Sequence, residues 1–479
     1  MKRKVLSLIL AAAMITVSFA GCGTKGEETA QDAATEAPAP SEETVAEPEE
    51  GDDTAEAADS ASEAYEGELT IMHFSTEEEA KGNPGADGFR KMVSEWEESH
   101  PDITLNQSIL ANTEYKTQIA TLAANDDLPD IYVLQGMDTV RWGADGLALD
   151  LTDVVANSPD SAKYKSELFS AFTSDGKIYG IPALTGGTCT AIIYDSKLWA
   201  EAGFDTFPTT WEDVVKAKEF FDGKGITVMG FANGDQWQAN STFLTCVGNR
   251  FTGMDWFSSL VANSGSKFTD QSFVDALTFM QDIFASGIFN KDFNAIDHYT
   301  AREYYISGDC AAYIGGNWDM TYIGTTLAES NPELFANSKL AVFPQPEGAT
   351  ADTNTQANGL GYALAINPRV AEDPAKLAAA VDFLYKTTGA DFADYVSSNY
   401  AVSGLTAPDS VDLSKFDQLT QDLYNFTNVD YKSSQIYDSF ISGALWGALN
   451  TDLQSMLNGD ITPEQVAENA QAAYEEAMK

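Results

Sequence analysis

Basic residues are scarce in this chain of 479 amino acids. It has 27 lysines and arginines against 73 aspartates and glutamates, so its formal net charge is −46. A surface this negative repels nucleic-acid phosphates and anionic lipid headgroups, because they carry charge of the same sign. The composition therefore argues against nucleic acid as a partner and favours neutral or cationic ligands.

Histidine is scarcer still, and its three copies, His73, His100 and His298, lie far apart in the sequence. Neither a His-Glu-x-x-His pattern nor a Cys/His cluster is present, so the usual ligand sets for zinc are missing. A Gly-x-Ser-x-Gly nucleophile elbow is missing too. The sequence therefore predicts no metal, no cofactor and none of these hydrolase classes.

The N-terminus has the pattern of an export signal. It begins with the basic Met1-Lys2-Arg3-Lys4, and the apolar stretch from Val5 to Phe19 is too short to span a bilayer as a helix. The stretch leads to Ala20-Gly21-Cys22, which resembles the lipobox of bacterial lipoproteins. The resemblance implies that residues 1–21 are removed and that Cys22 carries acyl chains such as palmitate, which anchor the protein on the extracytoplasmic face of the cell membrane. An ordinary secretory signal that happens to contain a cysteine is the alternative.

Residues 22–67 lack the apolar content of a folded domain. From 23 to 67 there are fifteen acidic residues against Lys25 alone, and Tyr65 is the only aromatic. Such a segment cannot bury enough apolar surface to fold, and its like charges repel one another. We expect a disordered acidic tether between the lipidated Cys22 and the folded part.

Three cysteines remain for the folded part, namely Cys189, Cys246 and Cys310, each flanked by apolar or small residues. Three thiols cannot pair completely. Buried free thiols are the preferred interpretation, and one disulfide plus one free thiol is the alternative for an exported protein.

The folded part, residues 68–479, alternates short apolar strands with amphipathic helices. One helix is marked by a stripe of Phe89, Met92, Val93 and Trp96 at helical spacing. Strands are predicted at 69–74, 103–109, 129–134, 191–194, 310–314 and 360–366. This alternation predicts an α/β fold with largely parallel sheets, and about 410 residues are enough for two cores.

Helix ends carry their own signals. Asn112 is predicted to cap one helix, and Thr209 or Thr210 another. Gly287 is expected to end the helix before it. The segment Thr462-Pro463-Glu464-Gln465 has the form of a capping box with proline at the first helical position.

Several short motifs follow one another along the folded part. They are Leu128-Pro129-Asp130, Leu149-Asp150-Leu151-Thr152-Asp153, the segment 175–182, Ile193-Tyr194-Asp195 leading to Ala202-Gly203-Phe204, the segment 208–213 and the segment 307–318. In order and spacing they resemble family 1 of the extracellular solute-binding proteins, the maltodextrin-binding-protein-like receptors of ABC importers.

The resemblance implies a type II two-lobed α/β fold, in which each lobe is an open, mostly parallel sheet flanked by helices and the ligand lies between the lobes. Lobe 1 is expected to comprise 68–185 plus 345–400, and lobe 2 to comprise 190–340 plus 405–479. The chain is expected to cross between lobes near 182–189, 344–358 and 397–407.

The implied function is capture of a mono- or oligosaccharide by lobe closure and its delivery to the membrane permease subunits of an ABC importer. The protein is expected to act as a monomer and to have no enzymatic activity. Two alternatives stay open. One is a secreted glycoside hydrolase or lyase, which would need a pair of acidic residues across the scissile bond. The other is a binding protein for a solute that is not a sugar.

Sugar binding requires aromatic faces for the apolar C–H surface of the ring and fixed polar groups for its hydroxyls. Trp318, in Gly315-Gly316-Asn317-Trp318, resembles the family's strand-end tryptophan that stacks on sugar. Trp446 aligns with a second stacking aromatic on the C-terminal helix. Asp235 and Trp237 fall where relatives place a carboxylate and an aromatic facing the cleft. Packing in the core is the alternative for each tryptophan.

Lobe 1 is expected to supply polar side chains from the ends of its strands, the usual ligand side of an open α/β sheet. Glu77 follows the first strand and Gln135 the third, so both are predicted to bind the ligand. Asn358, beside Gly359 at the second crossing, is a further candidate. Solvated loop positions are the alternative. Four other tryptophans are assigned to packing: Trp96, Trp142, Trp199 and Trp211.

Overall fold

The computed structural model describes residues 65–183, 188–350, 355–359, 361–399, 405, 414, 416–428, 432–434, 436–437 and 443–477. The predicted signal peptide, Cys22 and the predicted tether up to residue 64 lie outside the described residues. Within these ranges, every helix is too short or too polar to cross a membrane.

The described ranges contain the following strands: β1 (Gly67–His73), β2 (Ile103–Ile109), β3 (Ile131–Gln135), β4 (Thr173–Ser174), β5 (Lys177–Ile178), β6 (Ile181–Pro182), β7 (Thr188–Asp195), β8 (Ala312–Gly316), β9 (Ser338–Ala341), β10 (Thr355–Gly359), β11 (Tyr362–Ile366) and β12 (Lys432–Ser434). The α-helices are α1 (Glu77–Ala80), α2 (Pro84–Ser99), α3 (Asn112–Ala124), α4 (Thr139–Ala144), α5 (Thr152–Ala156), α6 (Ser196–Glu201), α7 (Trp211–Lys216), α8 (Lys218–Lys224), α9 (Thr245–Thr252), α10 (Met254–Val261), α11 (Gln271–Ala285), α12 (His298–Ile306), α13 (Asn317–Ser330), α14 (Pro332–Asn337), α15 (Pro374–Thr388), α16 (Ala390–Ser398), α17 (Gln418–Asn428), α18 (Gly443–Asn458) and α19 (Pro463–Ala477).

Two sheets of mixed direction form the centres of the two lobes. In lobe 1 the strand order is β2-β1-β3-β11-β6, and β1 runs parallel to β2 and β3 whereas β11 is antiparallel to β3 and β6. In lobe 2 the order is β12-β10-β7-β8, and β7 is antiparallel to β8, β9 and β10. The expectation of mostly parallel sheets is therefore wrong for lobe 2. Continuous apolar runs arise wherever helices cover both faces of a sheet, so they report burial and not strand direction.

Three of the predicted helix ends lie at or beside the predicted capping residues. Thr210, not Thr209, caps α7 by accepting a bond from the Asp213 N–H. Gly287, at φ +76°, follows the end of α11. In the predicted capping box, the Thr462 N–H donates to Gln465 Oε1 and the Gln465 N–H donates to Thr462 Oγ1.

Asn112 was predicted to cap α3, and this prediction is wrong. The cap position is Ala111, which offers no side-chain bond, and Asn112 is the first helical residue. Its side-chain amide instead donates over 3.3 Å to the hydroxyl of Tyr362, the first residue of β11.

Two crossings between the lobes run side by side. The chain leaves lobe 1 at Pro182 and joins the lobe 2 sheet at Thr188, while β10 in lobe 2 is followed almost at once by β11 in lobe 1. Asn358 pairs with Cys189, and Ala363 pairs with Pro182. The second crossing therefore lies between Gly359 and Tyr362 and not at 344–358.

The strand pairing corrects the expected lobe limits at three places. Residues 355–359 belong to the lobe 2 sheet, although the range 345–400 was expected in lobe 1. Leu405 bridges to Tyr164 of lobe 1, although 405–479 was expected in lobe 2. Strand β1 already includes Gly67, and the Tyr65 hydroxyl donates to the Glu68 carbonyl, so these two residues of the predicted tether belong to the folded part. An apolar run shows that a strand exists, but not which sheet it joins.

Each lobe is stabilised by its own apolar core. The lobe 1 core contains Trp96 and Trp142, and the lobe 2 core contains Trp199 and Trp211, each at most 1% exposed. The assignment of these four tryptophans to packing is confirmed. Three cysteines, Cys189, Cys246 and Cys310, are buried free thiols, which confirms the preferred interpretation over a disulfide.

Candidate functional site

A cavity of about 420 Å³ lies between the lobes. Lobe 1 lines it mainly with polar side chains, and lobe 2 adds most of the aromatic rings. The lobe 1 lining includes Phe74, Thr76, Glu78, Glu79, Asn83, Asn112, Lys116, Gln135 and Tyr362. The lobe 2 lining includes Thr190, Asp235, Trp237, Ser241, His298, Tyr299, Trp318 and Ile436.

The lobe 1 residues come from the ends of its central strands. Gln135 is the last residue of β3, and Tyr362 is the first residue of β11, which pairs with Gln135 in the antiparallel register. Phe74 follows β1 and packs edge-on against Tyr362 with ring centroids 4.7 Å apart. Strand ends thus gather three lining side chains at one edge of the sheet.

Lobe 2 builds an aromatic cluster from three separate segments. Trp237 contacts Trp318 edge-on at 5.8 Å and His298 edge-on at 5.5 Å between ring centroids. Tyr299 lies beside His298 at 3.9 Å. We call Trp237, His298, Tyr299 and Trp318 the aromatic cluster. It offers apolar faces and polar edges to the same cavity.

Trp318 owes its position to a glycine at the end of β8. A β-carbon at Gly316 would lie 2.1 Å from the Trp318 ring, so the ring packs directly on the Gly316 backbone. Helix α13 begins at Asn317, whose side-chain oxygen accepts a bond from the Cys189 N–H over 2.9 Å. This contact ties the start of the helix to the first crossing.

A buried ion pair packs against the aromatic cluster. Arg302 Nη1 lies 3.3 Å from Asp319 Oδ1, and the Tyr313 hydroxyl donates to the same carboxylate over 2.9 Å. The Arg302 guanidinium lies over the rings of Tyr299, at 4.9 Å, and Tyr322, at 3.7 Å. The buried Arg302 guanidinium thus packs against one face of the Tyr299 ring and restricts its position.

Two contacts join the lobes across the cavity. The Tyr299 hydroxyl of lobe 2 donates to Glu79 Oε2 of lobe 1 over 2.5 Å, and Asn83 Nδ2 donates to the other Glu79 oxygen. The Lys116 ammonium of lobe 1 lies 4.5 Å from the centre of the Trp446 ring of lobe 2. The lobes therefore contact each other through a carboxylate and a cation, both from lobe 1.

Three polar atoms of the lining are buried without a hydrogen-bond partner: Gln135 Oε1, His298 Nδ1 and Trp318 Nε1. Buried polar atoms are rarely left in this way unless something else satisfies them. Asp235 is exposed at the cavity, and desolvation raises its pKa against the opposing influence of His298. The lining therefore presents both donors and acceptors to a bound molecule.

Four of the predicted binding residues line the cavity, namely Trp318, Trp237, Asp235 and Gln135. Trp446 is absent from the lining, and its ring instead faces Lys116.

Glu77 and Asn358 have different outcomes. Glu77 is not in the lining, because Thr76 caps the short helix α1 and the turn of this helix directs Glu77 to solvent, near Arg90. Its successors Glu78 and Glu79 line the cavity instead. Asn358 lies on β10 beside the first crossing, and its side chain is outside the described part of the structure.

Sequence reasoning missed His298, Tyr299, Lys116 and Tyr362. His298 and Tyr299 open α12 directly after Asp297, which caps that helix, so a capped helix start carrying two rings was the available signal. Lys116 lies on α3 directly after the buried Tyr115, and no local motif marks it as a residue of the cavity.

Within the ranges described above, no group of three or more histidine, cysteine or acidic residues is placed to hold a metal ion. The arrangement is instead that of a cavity with stacking surfaces and hydrogen-bonding groups.

Comparison with known proteins finds relatives that match most of this chain. The chain is 22% identical to the melibiose/raffinose/stachyose-binding protein MelE of Bacillus subtilis over 393 residues, which is 81% of this chain and 86% of MelE. A chitin oligosaccharide binding protein superposes with a TM-score of 0.74 at 22% identity, covering 86% of this chain and 98% of that one. A sugar transporter protein of Bacillus licheniformis in complex with stachyose superposes with a TM-score of 0.65 at 16% identity, covering 85% and 99%.

These likenesses confirm the predicted two-lobed α/β fold class. The sequence profile of bacterial extracellular solute-binding proteins matches residues 82–391, well over half of the chain. The chain belongs to the family of bacterial extracellular solute-binding proteins.

Proposed function

We propose that this protein binds a carbohydrate between its lobes and delivers it to the permease subunits of an ABC importer. The observation that carries the proposal is one cavity between the lobes that is lined both by the aromatic cluster of lobe 2 and by polar residues of lobe 1, including Gln135. The names of MelE and of the chitin oligosaccharide binding protein, both sugar binders, support it.

A pyranose ring has an apolar face and polar hydroxyls, which match the aromatic rings of lobe 2 and the polar side chains of the lining. Its C–H face stacks on Trp318 or Trp237, and its hydroxyls donate to Asp235 and Gln135 and accept from the Trp318 indole N–H. Closing the lobes removes these groups from water together, so the hydrogen bonds are made in a partly desolvated site. Asn358 remains a candidate at the crossing, and Trp446 becomes available only if Lys116 moves from its face.

Charge narrows the class of sugar. The cavity lining carries three carboxylates, from Glu78, Glu79 and Asp235, against the single ammonium of Lys116. A uronic acid would bring another negative charge into this field, whereas a neutral sugar would not. We therefore expect neutral oligosaccharides to bind and uronates to be rejected.

The resemblance of Ala20-Gly21-Cys22 to a lipobox supports a membrane-anchored location. Acylation of Cys22 would hold it at the extracytoplasmic face of the membrane, and a tether from Cys22 to about residue 64 would leave the lobes free to reach the permease as a monomer. Cys22→Ser should abolish incorporation of radiolabelled palmitate in cells. Equal labelling of the variant would exclude the anchor.

Calorimetric titration of the purified two-lobed protein with raffinose, stachyose and diacetylchitobiose tests the binding proposal. A ligand at about 100 times its Kd should add roughly 2.7 kcal/mol of stability, which a thermal-shift screen of further sugars detects. If no carbohydrate stabilises the protein, the ligand is another solute. If new reducing ends form during incubation, the protein is a glycosidase or lyase.

A further inference from the structure

A tight turn in lobe 2 presents two of the lining residues. Asp235 and Trp237 flank Gln236, whose backbone has φ +67°. This left-handed conformation is unfavourable for a residue with a β-carbon, so the surrounding structure must stabilise it. The turn is closed by a bond from the Gln236 N–H to the Asn233 carbonyl over 3.0 Å.

The Gln454 side chain of α18 holds this turn at both ends. Its Oε1 accepts a bond from Gln236 Nε2 over 2.8 Å, and its Nε2 donates to the Asn233 carbonyl over 3.1 Å. The orientation of the amide follows from its partners, because a carbonyl oxygen can only accept and must therefore face the NH₂ group. A glutamate at this position could not reproduce the set.

The same amide reaches the segment that leads to the rest of the aromatic cluster. Gln454 Nε2 also contacts the Asn294 carbonyl over 3.3 Å, four residues before His298. The Gly234 N–H donates to the Ile296 carbonyl over 2.8 Å, and a β-carbon at Gly234 would lie 2.7 Å from that oxygen. The turn and the segment 294–299 are thus packed backbone to backbone, with Gln454 bonded to both.

A second side-chain amide on the same face of helix α18 also bonds to a segment that carries a lining residue. Trp446, Asn450 and Gln454 are four residues apart, so they lie on the same side of the helix. Asn450 Oδ1 accepts a bond from Asn240 Nδ2 over 3.0 Å, in the π-helical turn Ala239–Leu244 that carries the lining residue Ser241. One face of α18 therefore bonds both to the Asp235–Trp237 turn and to the π-helical turn that follows it.

We propose that Gln454 is a positioning residue for ligand binding, which holds the strained Asp235–Trp237 turn and the His298–Tyr299 segment in register for the bound molecule. The proposal rests on the proposed function, since it assigns Gln454 a role in sugar affinity. It does not require Gln454 to touch the sugar.

The test compares wild type with Gln454→Met, which keeps the length of the side chain and removes its hydrogen bonds. Titration with stachyose and diacetylchitobiose should show affinity about tenfold weaker. Without any sugar, hydrogen exchange at the backbone amides of 233–239 should be faster than in wild type. Gln454→Glu keeps the acceptor for Gln236 but places an oxygen against two carbonyls, so it should bind at least as weakly as Gln454→Met.

Gln281→Met is the matched control. The Gln281 amide also donates to two backbone carbonyls, of Met456 in the last turn of α18 and of Ile461 beyond the helix, and neither belongs to the Asp235–Trp237 turn or to the segment 294–299. We expect it to lower the unfolding midpoint and to leave both sugar affinity and exchange at 233–239 unchanged. If Gln454→Met lowers only the unfolding midpoint, as the control does, the positioning role is wrong.

A rescue variant tests the role of strain. Glycine adopts φ +67° without penalty, so Gln236→Gly should make the turn less dependent on Gln454. The double variant Gln236→Gly/Gln454→Met should recover part of the affinity lost by Gln454→Met. A double variant that binds no better than Gln454→Met would overturn this account. If wild type binds no carbohydrate in the thermal-shift screen, the proposed function fails, while the exchange measurement still decides whether Gln454 holds the turn.

Discussion

The two lobes supply different chemistry to one cavity and position it by different means. In lobe 1, Gln135 and Tyr362 are strand-terminal residues, so the sheet itself sets where they lie. In lobe 2, Trp237 follows a strained turn and Trp318 opens a helix, and both depend on neighbouring segments. The backbone of the sheet therefore sets the positions of the polar lining residues of lobe 1. Contacts with neighbouring segments set the positions of the aromatic rings of lobe 2. We expect the lobe 2 half to be more sensitive to substitution.

The largest effect is expected at Trp318. If its ring stacks on a sugar face, Trp318→Ala should weaken binding by about 2 kcal/mol or more, the scale of an interface hot spot, which is roughly thirtyfold in Kd. Trp318→Phe should retain part of the affinity. Calorimetric titration beside a denaturant melt measures both quantities, and wild-type affinity in a destabilised Trp318→Ala protein would exclude stacking.

Trp142 of lobe 1 provides the matched comparison. Its indole nitrogen is also buried without a protein partner, but the ring lies in the core and is 1% exposed. Trp142→Phe should cost about 1–3 kcal/mol of stability while sugar affinity stays near that of wild type. A large loss of affinity would mean that the two lobes do not differ as described.

A smaller loss is expected from the glycine beneath Trp318. The β-carbon introduced by Gly316→Ala would overlap the indole ring and force it away from its position in the cavity. We expect about tenfold weaker binding, since the ring is displaced but not removed. In Gly223, on α8 of the same lobe, a β-carbon meets nothing within 4 Å. Gly223→Ala should therefore leave affinity unchanged and raise helix stability by about 0.5–1 kcal/mol.

The contact between the lobes should have a more modest effect. Tyr299→Phe removes the bond to Glu79 that joins lobe 2 to lobe 1. At a partly exposed site we expect about 1 kcal/mol, or roughly fivefold in Kd. Tyr304, on the same helix, donates to Asp292 over 2.7 Å within lobe 2. If Tyr304→Phe weakens sugar binding as much as Tyr299→Phe does, the bond across the cavity has no special role.

The smallest effect is expected outside both lobes. Deleting residues 24–64 leaves Tyr65 and β1 intact and should change neither the melting temperature nor sugar affinity. Because Tyr65 bonds to Glu68, a longer deletion through Gly67 should lower the melting temperature slightly. A large effect of the shorter deletion would show that the acidic segment packs on a lobe.

The sequence pattern predicted the elements more reliably than their partners. Periodicity and capping residues identified β2, α7 and the capping box at Thr462, because these signals are local. The direction of β7 and the lobe that takes β10 depend on hydrogen bonds between distant segments, and no local pattern records them.

The same limit applies to the site. Gln135 could be found because it lies at the end of a strand, and Trp318 because its motif resembles the family's strand-end tryptophan. Glu77 was chosen in place of Glu79 because a single turn of helix decides which of two neighbouring carboxylates faces the cavity. The support from Gln454 could not be read from the chain, since its partners are 160 to 221 residues away in sequence.

The three buried thiols have a practical consequence. Burial raises the pKa of Cys189 and Cys310, and reaction requires the thiolate, so both should resist alkylation in the folded protein, and Cys246 is equally enclosed. Maturation of the lobes then requires no oxidase or isomerase. In a version that begins after Cys22, a cysteine substituted for the exposed Glu78 would be the selective attachment point for a fluorophore at the mouth of the cavity. If a ligand closes the lobes, the emission of the fluorophore would report binding, because the buried native thiols stay unlabelled.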